Sequence, residues 1–437
     1  MRNHELGAVE VFNAHAGVIE ATNPEINALV TLCLERAFDE AKLADKRVRD
    51  AVPGPLHGLP YAVKDTLPTK DVRTTYGSLL FENHIPQQDA LHVERARRAG
   101  AIVVGKSNTP EFASGVQTDN LVFGLTRNPL DSTKTVTGSS GGAAAALAAQ
   151  MVPMVDGSDL GGSLRSPASV CGVVGFRPTA GQIPKRNVDL PLDTLHVFGP
   201  MARSVKDIAL FMSVFAGQDA ACPLSSAAIP IDYSKAIETE LSGTRIAYSA
   251  TPCGTATDPQ VQQLLNSQLG AFESLECIVE EACPEIGDNH AVHYAIVALN
   301  SISELGQHMD DERFGQSGRL RNFLQKGLSL SADDIARVKF TQRRCLQVLE
   351  QFFLHYDFLL WPTMAGLPYG ADLNEEEVFE DWQPVELTPS LNLPAISLPA
   401  GLSSEGMPIG MQLIGPSNSD FRLLQLAYGF EQSLSSR

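Results

Sequence analysis

Three stretches of this 437-residue chain combine a base or nucleophile with glycines that free backbone donors. Gly58, Leu59, Pro60, Tyr61, Ala62 and Val63 form an apolar run that ends on Lys64 and Asp65. Thr137 and Gly138 lead into Ser139 and Ser140, followed by Gly141 and Gly142. Asp156 to Asp159 precede Leu160, Gly161, Gly162, Ser163, Leu164 and Arg165. A serine hydroxyl is a weak nucleophile until a base takes its proton. Lysine serves as that base only where burial leaves its amine neutral part of the time. The position of Lys64 after Ala62 and Val63 is compatible with burial. Gly161 and Gly162 allow consecutive N–H groups to turn inward, the donors that a developing oxyanion requires before Ser163. A further serine relays the proton if the lysine does not reach the nucleophile. The chemistry implied is acyl transfer at a carbonyl.

Each stretch also has a plainer reading. A glycine-rich turn before serine is usually only a turn, a lysine after a strand is usually solvated, and paired serines before a helix usually cap it. Their co-occurrence and order make the functional case. Two competing motifs fail on context. Gly100 to Ser107 fits the phosphate-loop pattern letter for letter, but that loop must follow a strand and open a helix. Here a helical pattern precedes Gly100, and Ile102, Val103 and Val104 read as a strand, so strand plus turn is the expectation. Gly138, Ser140 and Gly142 fit the nucleophile-elbow pattern, yet residues 134–137 make a poor central strand. His290 and His293 are the only close histidine pair, without an evident third ligand, so no metal site is expected.

The elements needed to position these residues alternate. Residues 5–22 and 27–50 read as helices, 59–63 as a strand, 90–99 as a helix and 101–104 as a strand. An Ala-rich helix over 140–150 and a strand over 152–155 follow. Residues 393–402 and 407–415 read as buried strands before a closing helix over about 420–434. This alternation predicts an α/β fold with a sheet covered by helices. Residues 58–205 carry the dense motifs. Residues 220–385 read as a variable, mostly helical insert or lid within one domain spanning 1–437. Within it, the acidic run of Asp372, Glu375, Glu376, Glu377, Glu380 and Asp381 reads as a solvated loop.

Composition narrows the partners. Lys and Arg total 33 against 51 Asp and Glu, a net charge of −18. That argues against nucleic acid and anionic membranes, both of which call for clustered positive charge. No stretch approaches the ~20 apolar residues of a membrane span, and the first residues run into an amphipathic pattern. The seven cysteines (33, 171, 222, 253, 277, 283 and 345) are scattered and odd in number. A reduced, cytoplasmic setting is expected.

Taken together, the segments closely resemble the amidase signature family, serine hydrolases with a Ser–cis-Ser–Lys triad. The likeness is dense from Asn23 to about Val205, thin over 220–385 and clear again from Pro394. It implies Lys64 as catalytic base, Ser163 as the acyl-forming nucleophile, and Ser139 as the relay, on a cis Gly138–Ser139 peptide. It implies an oxyanion hole from the N–H groups of Leu160, Gly161, Gly162 and Ser163. Gly138, Ser140, Ser158, Asp159 and Arg165 take supporting positions. The implied fold is a single α/β/α domain with a large mixed, twisted sheet; homodimers occur in the family. The implied reaction is cleavage of a carboxamide, carbamate or ureide C–N bond in a small molecule, without cofactor. The alternative is the amidase component of a tRNA-dependent glutaminyl/glutamyl amidotransferase, which releases ammonia from glutamine. Phe112, Gln117, Trp361 and Met364, with Phe314 and Trp382, are the expected pocket walls.

Overall fold

The computed structural model describes all residues except 1–5, 48–52, 187, 228–230, 236, 288, 316–318, 373–382 and 436–437. Trp382 and most of the acidic run therefore lie outside the described residues. The strands are β1 (Leu29–Leu32), β2 (Pro60–Lys64), β3 (Ile102–Ser107), β4 (Met154–Asp159), β5 (Val174–Arg177), β6 (Val197–Ala202), β7 (Arg245–Tyr248), β8 (Ile278–Glu281), β9 (Phe358–Pro362), β10 (Ala395–Leu402) and β11 (Pro408–Ile414). They form one sheet in the order β1-β3-β2-β4-β6-β5-β10-β11-β9-β7-β8. β2 runs parallel to β3 and β4, and β7 runs parallel to β8 and β9. The central pairings are antiparallel, so the sheet is mixed.

The helices are α1 (Ala8–Ile26), α2 (Leu34–Arg47), α3 (Leu91–Arg98), α4 (Gly141–Ala148), α5 (Arg165–Cys171), α6 (Val205–Phe215), α7 (Pro259–Glu273), α8 (Asn289–Leu305), α9 (Arg319–Leu328), α10 (Ala332–Phe352), α11 (Gln383–Ser390) and α12 (Asp420–Ser435). They cover both faces of the sheet. Alternation along β2 shows this directly. Tyr61 and Val63 join a core with α6 and α12, whereas Ala62 joins one built on α1, α2 and α4. Successive strand residues face opposite sides, so two buried layers are required.

The helix expected over 27–50 is in fact a strand and a helix. Asn27 ends α1 in the left-handed region at φ 57°, a conformation asparagine tolerates. The Asn23 side chain accepts from the N–H groups of Ala28 and Leu29 and donates to the Leu29 carbonyl. That turn delivers Leu29–Leu32 to β3 as an antiparallel partner. Residues 220–385 hold α7 to α10, and they also supply β7, β8 and β9 to the common sheet.

Candidate active site

Period-two alternation puts Lys64 on the face of Ala62, the face that α4 covers. Gly141 and Gly142 let α4 approach closely. A Cβ on Gly142 would stand 2.3 Å from the Asn108 nitrogen and 2.7 Å from the Ala28 carbonyl oxygen. The turn before α4 thus lies over the end of β2. The Lys64 Nζ meets the hydroxyls of Ser139 at 2.7 Å, Ser140 at 2.9 Å and Ser158 at 3.0 Å. The Gly138–Ser139 peptide is cis. Ser140 occupies the N-cap position, but its side chain makes no capping bond to the helix and turns to Lys64 instead.

Lys64 is fully buried. Burial pushes its amine down to about 7, against the opposing pull of the Asp159 and Asp156 carboxylates. Asp156 also fixes the strand end. It accepts the Lys64 N–H at 2.7 Å, the Tyr61 hydroxyl, and a contact from His92 Nε2 at 3.0 Å. An ammonium has three donors, which suits three hydroxyl oxygens. A neutral amine has two donors and one lone pair, and a hydroxyl can rotate to donate to it. The arrangement therefore serves both protonation states.

Ser163 follows β4 and precedes α5. Its carbonyl accepts the Ser140 N–H at 3.1 Å, tying the two serine-bearing turns backbone to backbone. Ser163 is 8% exposed whereas Lys64 and Ser139 are fully buried, so solvent reaches the outer serine only. Asp159 organises the loop between. It accepts Gly162 N–H at 3.0 Å, Leu164 N–H at 3.3 Å and two Arg165 donors at 3.0 Å, with Arg177 at 3.2 Å. Burial alone would raise the Asp159 carboxyl, but Arg165 and Arg177 hold it well below the usual carboxylate range. Gly162 sits at φ +102°, and a Cβ there would stand 2.3 Å from Val385 Cγ2. One expected oxyanion donor is thus engaged, because the Gly162 N–H points to Asp159. Among the described residues, the N–H groups of Leu160, Gly161 and Ser163 meet no protein acceptor.

The expected pocket residues separate. Met364 packs with Val116 and Val385, beside the Gly162 turn. Gln117 donates to the Ala371 carbonyl at 2.6 Å and accepts from the Thr135 hydroxyl, so both ends of its amide bind protein. Phe112, at φ 50°, packs among Tyr76, Phe81, His308 and Phe314. Trp361 lies in a different core, with Leu387 and Leu391, and borders a 280 Å³ cavity with His290 and Glu386.

Several partners of the site residues carried no sequence signal of their own. Arg165 also donates to Gln412 Oε1 and the Val385 carbonyl, both at 2.8 Å, linking the loop to β11 and α11. His293 packs against Gly161, where a Cβ would stand 2.9 Å from its Nε2. Its Nδ1 lies 3.1 Å from the Ser390 hydroxyl, and burial pushes the imidazole down to about 3, hence neutral. His290 instead meets Glu386 at 2.7 Å. The close pair in sequence is thus divided between two partners. Among the described residues, no cluster of three His, Cys, Asp or Glu side chains could hold a metal.

A family model described as Amidase matches residues 10–424. The chain belongs to the amidase signature family. A curated relative, the A subunit of glutamyl-tRNA(Gln) amidotransferase from Alkaliphilus metalliredigens (strain QYMF), is 33% identical over 97% of this chain and 93% of its own length. Among solved structures, 6-aminohexanoate cyclic dimer hydrolase with its substrate superposes at a TM-score of 0.90. It is 28% identical over 99% of this chain and 95% of that one. The A subunit of glutamyl-tRNA(Gln) amidotransferase from Thermotoga maritima superposes at 0.82, with 28% identity over 97% and 91% of the two chains. The family's mixed α/β architecture is therefore this chain's own. No described helix is long and apolar enough to cross a membrane.

Proposed function

We propose that this protein cleaves a carboxamide C–N bond through an acyl-enzyme on Ser163. The observation that carries the reading is the buried Lys64 amine 2.7 Å from the Ser139 hydroxyl, at the end of the turn tied to Ser163. Neutral Lys64 takes a proton from Ser139, which takes one from Ser163. The Ser163 oxygen adds to the carbonyl carbon, and the free N–H groups of Leu160, Gly161 and Ser163 face the oxyanion. The proton returns through Ser139 to the leaving nitrogen as the C–N bond breaks. Water then enters by the same relay and releases the carboxylate. Asp159, Arg165 and Arg177 hold the loop in shape without touching the reacting atoms.

Two specific readings share this chemistry. The curated relatives favour the amidase component of an amidotransferase, drawing ammonia from glutamine for partner chains. The likeness to 6-aminohexanoate cyclic dimer hydrolase supports a free hydrolase of small amides. Of the two, the amidotransferase reading has the stronger backing in sequence. Release of ammonia from glutamine and simple amides, and of the arylamine from anilides, by the purified chain separates them. Turnover of simple amides without partners supports the hydrolase. Activity confined to glutamine, and raised by partner subunits, supports the amidotransferase. Full activity of Ser163→Ala on every substrate would overturn both.

A further inference from the structure

The cysteines scattered in sequence are not all scattered in space. β7 and β8 lie side by side at the edge of the sheet, parallel, with Tyr248 opposite Glu281. The chain leaving β7 reaches Cys253, and the chain leaving β8 reaches Cys283. Their sulfurs lie 3.5 Å apart, with both thiols free. The Cys253 N–H donates to Cys283 Sγ at 3.2 Å, a contact that favours a thiolate there. Cys253 is exposed and Cys283 half-buried, so a small reagent reaches the pair. Next to Cys253, a Cβ on Gly254 would have nothing within 4 Å, so this turn has room to shift. A disulfide requires the sulfurs at about 2.05 Å, a closure of roughly 1.5 Å.

The other cysteines are differently placed. Cys171, Cys222 and Cys345 are at most 4% exposed. Cys345 donates to the Ile286 carbonyl at 3.0 Å, and Cys33 donates to the Val103 carbonyl at 3.2 Å. Cys277 is buried and directs its thiol to the Leu241 carbonyl. Hydrogen bonding from Cys253 lowers the Cys283 thiol to about 7, whereas burial pushes the Cys33 and Cys277 thiols up to about 11. The reactive thiolate and its resolving thiol therefore coincide with the pair that a small reagent reaches.

We propose that Cys253 and Cys283 form a modification site, a dithiol that a peroxide-class oxidant converts to an intramolecular disulfide. The Cys283 thiolate attacks one peroxide oxygen, the O–O bond breaks, and hydroxide leaves to take a proton as water. The resulting sulfenic acid is attacked by the Cys253 sulfur. The S–O bond breaks as the S–S bond forms, and the Cys253 proton leaves with the hydroxyl as a second water. Two thiols lose two electrons and two protons, and one peroxide becomes two waters. Cys253 also borders the 280 Å³ cavity lined by Trp361, His290 and Glu386, so the linkage re-sets that wall.

The test uses the full chain, treated with a small excess of hydrogen peroxide, quenched, denatured and alkylated. Alkylatable thiols fall from the seven of the sequence to five, and dithiothreitol restores them. No Lys or Arg lies between residues 246 and 312, so trypsin leaves both cysteines in one peptide. A glutamate-specific protease cuts between them after Glu273, Glu276, Glu280 or Glu281, and the linked peptides appear as one mass. Cys283→Ser retains all six remaining thiols, whereas Cys253→Ser loses one of its six, as a Cys283 sulfenic acid left without a resolving thiol. Seven thiols surviving the oxidant would overturn the proposal. So would the same two-thiol loss in Cys253→Ser, or, in the unaltered protein, added oxygen on either cysteine without a linkage.

Discussion

Two lysines end neighbouring strands and behave differently. Lys64 closes β2, and Lys106 lies one residue from the end of β3, opposite Val63. Both are fully buried, and burial pushes their amines down to about 7 and about 8. Their partners differ. Lys64 faces three serine hydroxyls, which both accept and donate. Lys106 donates to the Leu67 carbonyl and to Thr69 Oγ1, each at 2.6 Å. A carbonyl only accepts, so that amine must keep presenting N–H. The Thr69 hydroxyl gives its own proton to the Leu67 carbonyl, so burial can shift either amine, but only the serine cluster around Lys64 offers one of them a hydroxyl proton to take. Lys106 is also the lysine of the phosphate-loop pattern. Its glycine-bounded run is strand β3, as context predicted, with the amine sealed inside.

Substitutions sharpen this contrast, taken from the largest effect down. Ser163→Ala is expected to lower kcat by more than about 10,000-fold, because no other group forms the acyl bond. Lys64→Met is expected to lower kcat by roughly 100- to 10,000-fold, the range for removing a general base, with the far-ultraviolet dichroism of the fold kept. Ser139→Ala is expected to exceed Ser140→Ala in its effect on kcat, since Ser139 is placed as the relay. Equal losses would move that role. Lys106→Met should leave kcat per folded molecule and its pH profile unchanged. It strips two buried acceptors of a donor and is expected to lower stability by about 1–3 kcal/mol, read from urea unfolding. A changed pH profile in Lys106→Met would erase the distinction between the lysines.

The pH dependence follows in sign from Lys64. The base form is the neutral amine, and the buried group loses its proton near 7. kcat/KM should rise with pH through about 7 and then level off. A profile already flat across that range would mean that another group limits the reaction.

The motif-bearing strands and turns were legible because their determinants are local. The end of β2, the glycines before α4 and the loop after β4 each lie within a short window. β1 was not, because leucines at 29 and 32 suit a helix until the Asn23 side chain and the edge of β3 are known. The support of the site was also hidden. Arg165 meets Gln412, and Gly162 meets Val385, across more than two hundred residues. Trp361 illustrates the same limit. Its aromatic type suggested a pocket wall, and it does border a cavity, but that cavity's other walls, His290 and Glu386, and the packing against Leu387 come from elements distant in sequence.

The claim that Lys64 serves Ser163 is tested most directly by covalent labelling. A fluorophosphonate reacts with an activated serine, and mass spectrometry locates the adduct while stopped time points give its rate. The account predicts one adduct on Ser163, forming faster as pH rises through about 7, and forming slowly with no such rise in Lys64→Met. An adduct on another residue, or labelling of Lys64→Met at the rate of the unaltered protein, would contradict it.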